Sequence, residues 1–425
     1  MVWHALFKHA ERMVLQSLSS WIRHKTYSSR LLGSSPLPSH RPFTRFAMTT
    51  AFQKRLEEGI QQRLSSRRYH YVDNSYAYYV HPCEENMRED KDWFARYPHI
   101  DPAAFMAAHA REIARQVLTK GTLYGLLADR HSRDTLLLVA LYALLGHRFV
   151  RFPYHTPGAT ARRQALHERC RVAEEDPAIR EALARDAFGV GCRLERYRAR
   201  MAGEEVDFYG TSEFLYQLAA FPPYRYASGP VSVAVRPGDH VIDCGACYGD
   251  TALFFAACAG EDGKVLSFEP HPSIGQLFRH NRDLNPRLAR RMTLLPAATG
   301  ETAGGTVAFS LCGPGSHLEH SNPRLQRADI PLTSIDAEAD RLDWPRVDFI
   351  KMDVEGAELA TLKGAERTLR RFRPRLAVCL YHSPEDFFRI PRFLVECDLG
   401  YRFYLEHHFM NGWETVLYAL PAAAC

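Results

Sequence analysis

After Pro230 the chain alternates short apolar runs with helical stretches, and this alternation limits its fold more than any other feature. The runs HVIDC from His240, KVLSFE from Lys264, MTLLPAA from Met292, VDFIKMD from Val347 and RLAVCLY from Arg375 are too apolar for half-exposed strands. Runs of that kind are strands buried on both faces, which makes an α/β sheet with helical covers the expected fold class. Between them, ELATLKGAERTLRRF places Leu362, Ala365, Leu369 and Phe372 on one helical face. YRFYLEHH and ETVLYAL add two late strands, and the Asn-Gly within FMNGW predicts an antiparallel hairpin at the sheet edge.

Upstream the pattern is different. AAFMAAHAREIARQVL and DTLLLVALYALL are long enough for helices, and residues 161–187 read as helical. TLLLVALYALLG, from Thr135, falls short of the roughly 20 residues that span a bilayer and reads as a core helix. Residues 1–70 hold 12 Lys or Arg against 3 Asp or Glu, whereas the whole chain carries only +5. Such a start suits a solvated tail, with residues 31–50 as a Ser/Pro-rich linker and no basic-aromatic interleaving of the nucleic-acid kind. Three regions follow: a basic segment with linker (1–70), a mainly helical accessory or substrate-selection region (71–229) and an α/β domain (230–425). The opening residues have no long apolar run or small-residue cleavage site, and the ten cysteines show no two-pair zinc spacing. A reducing compartment, the cytoplasm, is the expected location.

The run VIDCGACYGDTALFFA defines the first strand end. Gly245 and Gly249 are expected to let the main chain turn beneath a ligand, with Asp243 and Asp250 beside the approach. A dinucleotide fingerprint needs glycines where this chain has Cys247 and Asp250, and two acids suit a pyrophosphate poorly. A cation-bearing ligand without phosphate fits better. Glu269, at the end of the next strand, can accept both hydroxyls of a ribose. Ala297 and Ala298 leave space for a flat ring, and Asn281 packs nearby or serves its helix.

KMDVEGAE supplies a second acidic edge. Asp353 and Glu355 are spaced to share one side of an extended segment, Glu358 to cap the next helix, and Lys351 to balance the acids or orient an acceptor. His382, after the RLAVCLY strand, is a candidate proton acceptor as a neutral imidazole. His407 and His408 point to opposite sides of a strand and read as surface residues rather than one metal centre. No ligand spacing demands a metal, so metal-independent chemistry is expected.

In this order, VIDCGACYGDTALFFA, KVLSFEPHP, PLTSIDAEADRLDWPRVDFIKMDVEGAELATLKGAERTL, RLAVCLYHSPEDFFRIP and ETVLYA resemble the FkbM methyltransferase family across most of residues 230–420. The resemblance implies a class I, Rossmann-like domain that binds S-adenosyl-L-methionine and methylates a hydroxyl, commonly on a saccharide or secondary metabolite. By it, Asp243, Gly245, Gly249 and Asp250 belong to the cofactor entrance, Glu269 is the ribose acceptor, and Asp353, Glu355, Gly356 and Glu358 match the later acidic motif. The bulk of Cys244, Cys247 and Tyr248 within the turn departs from many relatives. The competing readings are a nucleotide-dependent oxidoreductase, which the broken glycine fingerprint disfavours, and an RNA-binding methyltransferase using the basic start.

Overall fold

The computed structural model describes residues 49–65, 117, 119–145, 150–153, 157–173, 176–184, 194–311, 326–409 and 413–422. Most of the basic segment and linker, nearly all of the run at 103–118, and the Asn-Gly of the hairpin turn lie outside the described residues. The chain divides into two compact units, Met1–Leu126 with Leu136–Arg151, and Leu127–Thr135 with Phe152–Cys425.

The first unit is helical where it is described. Thr50–Ser65 buries Phe52, Leu56 and Ile60, spaced four apart on one face. The Phe52 ring packs 5.3 Å from that of Tyr124. The apolar run at Thr135 lies in the helix Arg130–Leu145, and no helix among the described residues is long and apolar enough to cross a membrane.

The second unit is Rossmann-like α/β, built on a seven-stranded sheet. Its strands are β1 (His240–Cys244), β2 (Lys264–Phe268), β3 (Met292–Leu295), β4 (Phe349–Met352), β5 (Arg375–Cys379), β6 (Tyr401–His407) and β7 (Thr415–Pro421). The spatial order is 3-2-1-4-5-7-6. β1 to β5 run parallel, and β7 is antiparallel to both of its neighbours. The expected hairpin therefore forms, but only β6 is an edge. Every residue of β7 is buried, which is why TVLYALP sits inside the sheet and the more polar YRFYLEH outside it.

Helix α1 (Asp250–Ala259) follows β1 and is almost wholly buried; α2 (Pro272–Asp283) follows β2. The His271 ring caps α2 by accepting the Ile274 N–H, and Pro272 fills a first-turn position that needs no donor. The expected continuous helix after β4 is instead two, Glu358–Lys363 and Glu366–Phe372. They part at Gly364, where any Cβ would lie 2.0 Å from the Gly300 carbonyl oxygen.

An antiparallel hairpin, Glu195–Met201 with Glu204–Gly210, precedes the sheet. Two asparagines of the α2 region clasp it. Asn281 accepts the Tyr209 N–H and donates to the carbonyls of Tyr209 and Tyr248, and Asn285 treats the N–H and carbonyl of Asp207 the same way. Four residues of helix rise about 6 Å and two of strand about 6.6 Å, so the amides meet the backbone in step. Asn281 thus fastens the hairpin to the glycine turn through Tyr248.

Candidate functional site

The parallel register sets Asp243 of β1 beside Lys351 of β4. Lys351 Nζ lies 3.3 Å from Asp243 Oδ1 and donates to the carbonyls of Cys244, at 3.2 Å, and Gly245. It also sits 5.1 Å from the centroid of the Tyr224 ring. Burial alone would strip the ammonium of its proton; the carboxylates of Asp243 and Asp353 reverse this and hold it charged. Burial also opposes the charge on Asp243, against the pull of Lys351. Lys351 is therefore a buried tie between strand ends, with its donors turned to the glycine loop.

The two glycines serve that packing, not only the ligand approach expected of them. A Cβ at Gly245 would lie 1.7 Å from the Asp353 carbonyl oxygen, and one at Gly249 would meet the Phe278 ring at 2.8 Å. The last strand residues of β1 and β4 can close on each other only across a glycine.

Two further acids face the same turn. Glu269 follows β2 directly; its Oε1 accepts the His271 N–H at 2.7 Å, and burial pushes its carboxyl up to about 8. Asp250 opens α1. Burial pushes it up to about 7, and its Oδ2 is buried without a hydrogen-bond partner. An orphaned acceptor, a buried acid at the neighbouring strand end and a third acid beneath the turn fit a hydroxyl-donating, positively charged ligand. S-adenosylmethionine is such a ligand, and a pyrophosphate is not. Ala298, expected beside a flat ring, instead opens a three-stranded sheet with Thr306–Leu311 and Gln326–Thr333 and packs in its small core with Phe309 and Ile330. Ala297, also buried, precedes it and donates its N–H to the Leu295 carbonyl.

One strand away lies the acidic edge. Asp353 accepts hydroxyl hydrogens from Tyr224 at 2.8 Å and Tyr381 at 2.9 Å. Burial raises its carboxyl, but Lys351, His382 and these hydroxyls together hold it below the usual range. Glu358, fully buried, accepts the N–H groups of Val354 and Gly356 and so closes the turn that Gly356 makes. His382 lies against three acids: Nδ1 is 2.8 Å from Glu358 Oε1, and Nε2 is 3.4 Å from both Asp353 Oδ1 and Glu355 Oε2. Burial would make this ring neutral; Glu358 foremost, with Glu355 and Asp353, reverses that and holds it protonated. The neutral imidazole expected from sequence does not match these surroundings.

Sequence reasoning missed Tyr224, Tyr381 and Glu414. Tyr381 also donates to Glu414 at 3.3 Å, and burial, helped by Asp353, pushes Glu414 up to about 8. The signal for Tyr381 was its place beside His382 at a strand end; Tyr224 sat in a stretch read only as a connecting loop. Of eight non-glycine residues with positive φ among those described, Tyr224, Cys247, Glu355 and Glu414 belong to this region. Strain of that kind concentrates where function holds it in place. His407 and His408 are buried, not at the surface: His407 pairs with Thr415 and stacks on Phe152, and His408 pairs with the Tyr418 hydroxyl. His408 also donates its backbone N–H to the Glu414 carbonyl at 2.9 Å.

Comparison with known proteins bears on this geometry. Residues 243–403 match the Methyltransferase FkbM domain. No curated protein matches the chain. Among solved structures, methyltransferase FkbM from Methylobacillus flagellatus KT is 21% identical, covering 73% of this chain and 60% of its own, with a TM-score of 0.44. The chain thus spans less than two thirds of that protein. Fibrillarin from Aeropyrum pernix, with natively bound S-adenosyl-L-methionine, is 11% identical over 53% of this chain and 94% of its own, with a TM-score of 0.30. Precorrin-6y C5,15-methyltransferase from Geobacter metallireducens GS-15 is 14% identical over 44% and 82%, with a TM-score of 0.27. The matched stretch, residues 243–403, holds the glycine turn, Glu269 and the whole DVEGAE edge, and this part of the chain is similar to the Methyltransferase FkbM domain.

Proposed function

We propose that the chain is an S-adenosyl-L-methionine-dependent O-methyltransferase acting on a hydroxyl of a saccharide or secondary metabolite. The observation that carries this reading is the Asp243–Lys351 register. It joins the acids suited to the cofactor and the acids suited to an acceptor across a single strand spacing, about 4.8 Å.

When bound, S-adenosylmethionine supplies a methyl group on a positively charged sulfur, which departs with the bonding electron pair. Glu269 would accept the ribose hydroxyls, and Asp243 and Asp250 would offset the cofactor's positive charge. Glu355 takes up the acceptor's proton. It is a third exposed, whereas both oxygens of Asp353 and of Glu358 already accept hydrogen bonds. The hydroxyl proton becomes strongly acidic only as the new carbon–oxygen bond forms, so a carboxylate suffices to take it. Tyr224, Tyr381 and Lys351 hold Asp353, and with it the edge that receives the acceptor. The free cysteines among the described residues support a cytoplasmic location.

A labelled-methyl assay against a metabolite and saccharide extract, with product identification, tests this. The expected product is an O-methylated hydroxyl compound. Glu355→Gln should keep cofactor affinity while turnover falls roughly 100-fold or more. Absence of cofactor binding, or an NAD-dependent absorbance change in its place, would refute the reading.

A further inference from the structure

We propose that Asp353, Glu358 and His382 form a binding site for a divalent cation. One ligand atom from each lies within 4.8 Å of the others. The His382 ring is only 8% exposed, and neither of its nitrogens makes a hydrogen bond of acceptable direction, although carboxylate oxygens stand 2.8–3.4 Å away. A cation set among these groups displaces the proton that the three acids otherwise hold on the ring, which frees a nitrogen lone pair to ligate it.

The surroundings support the assignment. A metal ligand needs an outer partner to fix its direction. Asp353 has the hydroxyls of Tyr224 and Tyr381, and Glu358 has the amides of Val354 and Gly356. The three acids Asp353, Glu355 and Glu358 outnumber the one ring they surround, leaving negative charge for a cation to balance. Two carboxylates and one imidazole suit manganese, iron or zinc in the divalent state. Three protein ligands leave coordination positions open, and an acceptor hydroxyl oxygen placed there would give up its proton to Glu355 more readily. That role rests on the proposed methyl transfer; the binding site does not.

The test uses the full chain, stripped with a chelator and titrated with manganese(II) while the free-ion spin-resonance signal is followed. One ion per chain is expected, with nitrogen modulation from an imidazole in the pulsed spectrum. His382→Ala should remove the modulation and weaken binding by roughly 10–100-fold, the scale of even an outer-partner loss. Glu358→Gln should weaken binding comparably, with circular dichroism confirming that each variant is folded. Cys379→Ala should change nothing; Cys379 and Glu414 make a second group around Asp353, and loss of binding there would move the site and overturn the assignment. Failure of the unmodified protein to hold the ion, or nitrogen modulation surviving in His382→Ala, also overturns it. Cofactor affinity, measured separately by calorimetry without metal, tells the two proposals apart: its absence with the ion bound sinks only the methyl-transfer reading.

Discussion

Lys351 and Asp243 form an ion pair in which neither side chain is more than 1% exposed. Two charges removed from water this completely depend on each other. Loss of one partner from a buried pair costs about 3–5 kcal/mol, because the other is left uncompensated. Lys351→Met should therefore destabilise the fold on that scale in chemical denaturation, and Lys351→Met with Asp243→Asn should recover part of the loss. A single variant within about 1 kcal/mol of the parent would show that the pair carries little of the fold.

Gly245 makes a sharper prediction. Its φ of +80° and the Asp353 carbonyl, 1.7 Å from where a Cβ would stand, leave no conformation for alanine that keeps β1 and β4 in register. Gly245→Ala should unfold the domain or separate the two edges, costing more than ~3 kcal/mol. Gly304, with φ +105° and nothing near its missing Cβ, is the control for backbone strain alone. If both changes cost the same, the close approach is not what requires glycine at 245.

The sheet could be read from the sequence because its central strands are covered on both faces and so appear as unbroken apolar runs. Glu269 and Asp353 were singled out because they end such runs. Partnership across strands was not legible. Lys351 looked as free to orient an acceptor as to pair, since nothing local to KMDVEGAE states which strand lies beside it. The register with β1 decides that. For the same reason His407 and His408 read as surface residues, although in the interior Thr415 and Tyr418 of β7 each pair with one of their ring nitrogens. The break at Gly364, inside a run read as one helix, was hidden because Gly300, its contact, is remote in sequence.

Glu269→Gln keeps shape and one acceptor oxygen but loses the charge. Hydrogen bonds to a charged group contribute about 1.5–3 kcal/mol. Affinity for S-adenosylmethionine, measured by calorimetry, should therefore fall roughly 10- to 100-fold, without loss of the folded state. Unchanged affinity would remove Glu269 from the cofactor site and leave its burial without a function.

The same residue sets a pH dependence. Burial raises Glu269 from 4.5 to about 8 and Asp250 from 3.8 to about 7, so the fold without ligand favours both as neutral acids. A raised carboxyl contributes stability that is fully present below its unfolded value and is lost as pH climbs through its folded value. Each group therefore costs up to about 1.4 kcal/mol per pH unit across that window. The ligand-free protein should lose thermal stability from pH 6 to pH 9, and Glu269→Gln should flatten that decline. Other buried acids, Glu414 and Asp386 among them, contribute the remainder, so the informative quantity is the difference between the two profiles. A positively charged ligand acts in the opposite sense, because ionised Glu269 and Asp250 then gain a partner. Added S-adenosylmethionine should stabilise the parent more at pH 8 than at pH 6, and stabilise Glu269→Gln nearly equally at both. Parallel profiles for the two proteins would mean that Glu269 is already ionised in the folded chain and that its surroundings are wetter than its burial indicates.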